Sequence, residues 1–385
     1  MKSSNTIFYL GTLFFSALFL FIGSRIAIGE GVDLDTKYNK FWFEPVFMPA
    51  VITEIRVQPH DGDADQAFCA DNFLNFEARI TSGDLYGQYA IVARPWGRSH
   101  WIPEEEPQVG DRVLLLLDEE QQEFYFMEFI RINYVVILAV VFFALVLLFG
   151  RKKGFNAIIA LGFICIAVFF VLVPAILSGR NIYAVTVIVC IYAIMSTLLL
   201  VIGPNRKTLA SIIGCLGGVI LAGLLMLFMD IFLRLTMFMD DDTSLLLWIV
   251  DTPIEARSLV FAGVTIGALG AIMDVAMSIA SSLWELKEAG GVSDFKTIFK
   301  SGINIGRDIL GTMLNTLILA YIGSSLSMVL VSVIWTPYAL YNFNSQLIIV
   351  ELVRALVGSF GMLLAIPLTA WACGMLYSRE HQSIA

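Results

Sequence analysis

Long apolar runs separated by short polar loops make up most of the chain. Runs of about 18 or more apolar residues are long enough to cross a bilayer as helices. They fall near residues 6–28, 132–150, 154–177, 182–202, 208–230, 257–284, 305–335 and 347–376, and they predict eight spans. A different pattern fills the gap between the first two runs. Phe76, Ala78 and Ile80 alternate with Glu77, Arg79 and Thr81, and Val113, Leu115 and Leu117 repeat the period of two. With turn residues at Ser82-Gly83 and Val109-Gly110-Asp111, this predicts the strands of a small barrel or sandwich.

The pattern therefore predicts an all-α polytopic membrane protein of about eight transmembrane helices, carrying a small extracytoplasmic β-rich domain. Residues 1–28 are expected to be an N-terminal membrane anchor, 29–131 the β-rich domain and 132–385 a seven-helix membrane domain. Ala27-Ile28-Gly29 is an acceptable cleavage site, but the apolar core before it is long for a signal peptide, so an uncleaved anchor is expected. Orientation follows from Lys and Arg in short loops. Arg151, Lys152, Lys153, Arg206, Lys207, Lys287, Lys296, Lys300 and Arg379 fall on one side of eight alternating spans. That side is expected to be cytoplasmic, with both termini inside and residues 29–131 outside.

Composition narrows the partners. The chain is 58% hydrophobic and 15% charged, against about 25% charged in soluble domains, so the lipid bilayer is its medium. A net charge of −9 excludes nucleic acid as a partner. Cys165, Cys190, Cys215 and Cys373 lie in apolar runs and Cys69 alone in a polar one, so no disulfide framework follows. His60, His100 and His381 are too dispersed for a metal cluster, and no triad, Walker loop, dinucleotide fingerprint or zinc spacing is present. No cofactor, metal or enzymatic activity is expected. Asp61, Asp63 and Asp65 resemble a calcium loop, but Gln66 and Asn72 stand where that loop needs Gly and Glu, which leaves a solvated acidic loop. Asp240, Asp241 and Asp242, ahead of Leu245-Leu246-Leu247-Trp248, read as a loop and an interfacial stretch.

Candidate chemistry is concentrated in the last three spans. Gly263, Gly267, Gly270, Asp274, Ser278, Ser281 and Glu285 lie within about 40° of one line on a helix. An ionisable group inside a membrane helix is costly and marks a site by default. The seventh span carries a second line, Asn304, Asp308, Gly311, Thr312 and Asn315, at a depth similar to that of Asp274. Arg307 is expected to snorkel at the inner rim. The eighth span adds Glu351 and Arg354, spaced to neutralise each other, and then Gly358 and Gly361. Tyr321 and the serines from Ser324 to Ser327 add hydroxyls to the outer half of the seventh span, where they can bond their own backbone. The third to fifth spans carry almost no polarity.

Gly270-Ala-Ile-Met-Asp274-Val-Ala-Met-Ser278 and Gly306-Arg307-Asp308-Ile-Leu-Gly311-Thr312-Met-Leu-Asn315-Thr316-Leu-Ile-Leu-Ala-Tyr321 closely resemble the YibE/F-like integral membrane proteins. That resemblance implies a bacterial cell membrane and no particular activity. More remotely, a Gly-x-x-x-Asp span, a short cytoplasmic link and then a polar span resemble one half of the resistance-nodulation-division permeases and the SecD/SecF translocase subunits. In those the fourth span of six carries the Asp of a proton relay, and Asp274 lies in the fourth of the last six spans here. Ser178-Gly179-Arg180-Asn181 replaces the large domain of those permeases, and a second six-span unit is missing.

These features lead to the expectation of a secondary transporter or permease for an unknown small substrate or ion, proton- or cation-coupled. Asp274 is the expected acceptor, Ser278, Ser281, Thr312 and Asn315 orient it or line the path, Glu285 and Asp308 sit at the inner mouth, and Glu351 and Arg354 belong to the same polar set. The alternative is a non-transporting scaffold or accessory subunit whose outer domain binds a partner, since glycine lines and polar pairs also serve helix packing. A homodimer or a paired membrane subunit is expected because two-fold pairs are the commonest assembly.

Overall fold

A computed structural model describes residues 2–28, 46–59, 72–96, 107–118, 123–234, 254–290, 294–335, 338, 340 and 344–378. Two compact units emerge: Asp35–Val146, and Met1–Leu34 together with Leu147–Ala385.

The first unit contains five strands, β1 (Val46–Pro59), β2 (Asn72–Ile80), β3 (Tyr89–Trp96), β4 (Arg112–Asp118) and β5 (Glu123–Phe129). They close into a barrel in the order β1-β2-β3-β5-β4. All pairs are antiparallel except β3 with β5, which run parallel and meet at Val92 and Phe124. This is the topology of the OB-type Greek-key barrel. Its interior is filled by Met48, Ala50, Ile52, Phe76, Ala78, Ile80, Ala90, Val92, Val113 and Leu115, so the period-two pattern puts its apolar set inside. β1 pairs with both β2 and β4, and it bends at a bulge between Ile52 and Glu54. The extra residue shifts the inward set by one, so Ile55 follows Ile52 onto the core side. Gly110 turns the chain into β4 with φ +100°, and its N–H donates to the Ile52 carbonyl at 2.9 Å. Outside, Arg56 donates to Glu54 at 2.8 Å and holds that carboxyl below the usual carboxylate range.

The helices are α1 (Lys2–Ile28), α2 (Ile132–Ala167), a π turn (Val168–Leu172), α3 (Val173–Leu177), α4 (Ile182–Val201), α5 (Arg206–Leu233), α6 (Ala256–Glu288), α7 (Phe295–Ser324), α8 (Leu326–Trp335) and α9 (Gln346–Ser378). Among the described residues seven helical segments are long and apolar enough to cross a membrane. One of them, Ile132–Leu177, has 46 residues and is two helices joined across a kink at Arg151 (φ 48°, ψ −127°), the start of the basic triplet between the two spans that the sequence pattern predicts there. The seventh span differs from expectation at its ends. α7 begins at Phe295, ahead of the predicted 305, because Asp294 accepts from the Thr297 N–H, and Ile298, Gly302 and Gly306 continue one buried face. It stops at Ser325, and α8 follows.

α9 is the centre of the bundle and packs on α5, α6 and α7. Backbones come close because glycines face small residues. A Cβ on Gly218 would lie 2.8 Å from Ile272 Cγ2 and 2.9 Å from Ala365 Cβ, and one on Gly302 would lie 2.7 Å from Ala370 Cβ. Gly306 faces Ile366 at still shorter range. The shared core takes in Ala222, Met226, Ala268, Ile272, Ala276, Met362 and Ala365. A second cluster seats α1 through Leu20 and Ala27 against Val171, Leu172 and Val189, and Phe19 stacks on Tyr192 at 4.1 Å. Cys69, the acidic stretches 61–65 and 240–242, and Arg379 lie outside the described residues.

Removing the ring at the centre of the barrel should cost roughly 3–5 kcal/mol in Phe76→Ala. Ile91→Ala, on an outward position of β3 that is 74% exposed, should change stability by less than about 0.5 kcal/mol. Urea titration of the full-length protein, followed by proteolysis of the barrel, distinguishes the two.

Candidate functional site

α6 is apolar nearly all round, and its buried residues include Val264, Ala268, Ile272, Val275, Ala276, Ile279 and Ala280. What the rest of the chain leaves open on it is the line of small and polar residues. Gly263, Gly267, Gly270, Asp274 and Glu285 are exposed, and Ser278 and Ser281 are half-buried. From Gly263 to Glu285 the line is about 33 Å long at 1.5 Å per residue, close to the roughly 30 Å thickness of a hydrocarbon core.

The N-terminal end of the line is occupied by residues from α7 and α9. Arg354 Nη2 lies 3.6 Å from where a Gly263 Cβ would be, and the Tyr321 hydroxyl lies 2.5 Å from the same point on Gly267. Only glycine leaves room for the tyrosine there. Arg354 donates to Glu351 at 2.5 Å, one turn away on α9. The Tyr321 hydroxyl and Arg354 Nε are both buried without a hydrogen-bond partner among the described residues. The Glu351–Arg354 pair anticipated from spacing is thus formed. Tyr321, read from sequence only as one of several outer hydroxyls, proves to be the residue that bridges α7 to the α6 line. The signal that could have singled it out is the match of a large polar ring on one span to a glycine at equal depth on the next.

α7 shows the opposite arrangement from a lipid-facing helix. Ile305, Ile309, Met313 and Leu317 pack on the bundle core. Asn304, Arg307, Asp308, Gly311, Thr312, Asn315 and Thr316 are exposed. α6 and α7 approach each other at Leu283–Gly302 and, toward the other end of the pair, at Gly267–Tyr321. Asp274 and the segment from Asp308 to Asn315 lie between these two approaches. A Cβ on Gly270 or Gly311 would meet nothing within 4 Å, so the space beside the two polar lines is open.

The structure brings the two lines to one region but does not bond them. Among the described residues no hydrogen bond or ion pair engages Asp274, Ser278, Ser281, Glu285, Asp308 or Asn315. Thr312 donates to the Ile309 carbonyl at 3.0 Å and Thr316 to the Thr312 carbonyl at 3.0 Å, each within α7. Ser324 likewise donates to Tyr321 at 2.9 Å. Near the C-terminal end of α6, Trp284 donates to Glu288 at 2.7 Å, Lys287 stands over the rings of Trp284 and Tyr377, and the Tyr377 hydroxyl donates to the Ala280 carbonyl. Asp230 and Arg257, at the opposite ends of α5 and α6, approach to 3.7 Å, a pair that the sequence reading missed. No group of three or more His, Cys, Asp or Glu with metal-binding geometry occurs among the described residues. The available chemistry is that of an open carboxylate between hydroxyls, at the middle of a polar line, with a charged pair at the Gly263 end.

Residues 138–379, from within α2 through α9, match the family model described as YibE/F-like protein. The chain belongs to that family, and the barrel strands lie outside the match. No curated protein and no solved structure matches the chain.

Glu351→Ala would leave the half-buried Arg354 guanidinium without its carboxylate. A loss of roughly 1–3 kcal/mol is expected, since hydrogen bonds to charged groups lie in that range. Glu351→Ala combined with Arg354→Met should recover most of it, because the uncompensated charge is then gone. Thermal unfolding of the three variants in the same detergent measures the difference.

Proposed function

We propose that this multi-pass membrane protein is a permease that moves a small solute or ion, with Asp274 as the proton or cation acceptor of the coupling. The observation that supports this most directly is the open polar line on α6, as long as the hydrocarbon core is thick. A bilayer does not tolerate such a line against lipid. Along a wet path it is a set of exchange sites. Asp274 stands midway, Ser278 and Ser281 lie inward of it, and Glu285 and Asp308 form the inner mouth. Outward, Tyr321 and the Glu351–Arg354 pair narrow the line where Gly263 and Gly267 make room. Thr312 and Asn315 line the facing side from α7.

In this reading the barrel is extracytoplasmic. Arg151, Lys152, Lys153, Arg206, Lys207, Lys287, Lys296 and Lys300 lie at the other, cytoplasmic, side. The protein breaks no covalent bond of its solute. Among the described residues no hydrogen bond or ion pair ties up the Asp274 carboxylate, which leaves it open to exchange.

Asp274→Asn should abolish proton-coupled flux in liposomes. It should shift folding stability by less than about 1 kcal/mol, because the carboxylate has no hydrogen-bond or ion-pair partner among the described residues and an interhelical polar contact is itself worth only about 0.6–2 kcal/mol. Full flux in the Asn variant would remove the acceptor role and put the scaffold reading ahead.

A further inference from the structure

The helices that turn a side to lipid do so with hydrocarbon. α1 presents Phe14, Phe15 and Phe21, α2 Leu138, Phe142 and Leu148, α5 Ile220, Leu224 and Ile231, and α9 Leu352, Leu356 and Phe360. The joint face of α6 and α7 is the exception, with Asp274 and the α7 line from Asn304 to Thr316. Unpaired polar groups inside the hydrocarbon region are costly, and intramembrane charges turn inward, toward protein or water. Among the described residues nothing in this chain covers that face.

We propose that a second copy of this chain covers it, the two copies packing α6 and α7 face to face about a two-fold axis along the bilayer normal. Charge identifies the partner. Arg307 and Asp308 are neighbours at one depth, both exposed and neither engaged in an ion pair among the described residues. A two-fold along the normal sets each depth against itself, so Arg307 of each copy meets Asp308 of the other. The face is self-complementary, whereas an unrelated subunit would have to carry its own matching pair. Shape agrees, because Gly270 and Gly311 leave room for another helix to approach closely. The pair then encloses two Asp274 lines around one shared interior. This pairing goes beyond the permease reading and does not need it, since it follows from lipid exclusion and charge.

The test uses the full-length protein in lipid nanodiscs and liposomes, with its five cysteines replaced by alanine for cross-linking. Wild type is expected to be dimeric by single-molecule photobleaching. Asn315→Cys should cross-link to a second copy through a short bis-maleimide, and Val141→Cys, on the lipid side of α2, should not. Gly311→Trp should lower the dimer fraction at least tenfold, because a Cβ there meets nothing within 4 Å among the described residues and the added ring fills the space that the partner helix needs. Arg307→Asp and Asp308→Arg should each dissociate the pair, and the two together should restore it. A monomer at every protein-to-lipid ratio would overturn the proposal. So would cross-linking of Asn315→Cys only to another polypeptide, or a Gly311→Trp variant that stays dimeric. Flux is not read in any of these arms, so failure of the pairing is scored separately from failure of the permease reading, which the flux of Asp274→Asn tests.

Discussion

α9 approaches α5, α6 and α7 so closely that single added methyl groups would collide, and the bundle is organised around that contact. The space beside Gly218 is bounded by Ile272 of α6, Ala365 of α9 and the carbonyl of Gly361, which a Cβ would meet at 3.0 Å. In lipid no hydrophobic drive separates helix from solvent, so association rests on the number of van der Waals contacts that close approach allows. Small residues on α5 and α9 supply that closeness, with α7 meeting α9 in the same way at Gly302 and Gly306. α6 is held because Ile272, Ala276 and Ala268 fill the remaining space between them.

That packing has a consequence for the polar line. Once α5 and α9 take up the apolar sides of α6, the one side left is the side where Asp274 stands. Ile272, Val275 and Ala276, immediately around Asp274 in sequence, are completely buried. The carboxylate is therefore presented from a backbone with little freedom, on a regular helix rather than a loop. A group that exchanges a proton or cation benefits from such fixed placement, because little reorganisation is needed at each event. The serines at half-buried positions inward of it sit on the same rigid support.

Much of this was legible from residue pattern. Alternation at Phe76, Ala78 and Ile80 identifies the inside of the barrel because a strand has only two faces. The closure of the barrel was not legible, since the parallel pairing of β3 with β5 joins segments with no local signature, and the bulge after Ile52 moves the inward set from even to odd positions. Likewise the α6 and α7 lines follow from helical period, which states which residues share a face. Period does not state what stands opposite. That Tyr321 would settle on Gly267, while Gly270 and Gly311 remain open, depends on how two helices cross, and the crossing is set by contacts with α9 far away in sequence. The basic triplet at Arg151 reads as a break between two spans, and the two helices there meet across a kink at Arg151.

Burial is distributed unequally across the two helices that carry the site. In the most apolar window of α6, 61% of residues are buried within the chain, and in that of α7 only 6%. Both are long and both must reside in the same bilayer. α7 is fastened by its glycine contacts with α9, by Leu283 against Gly302 and by the Tyr321 ring on Gly267. Its remaining surface is polar in its first two thirds, through Asn304, Arg307, Asp308, Thr312 and Asn315, and turns apolar only toward Leu319 and Ile322. A helix so little covered by its own chain owes a large share of its position to whatever lies against that polar half. The rigid element of the site is thus α6, whose place is decided within the chain. α7 is the element whose place is decided jointly by the chain and by what covers its open face.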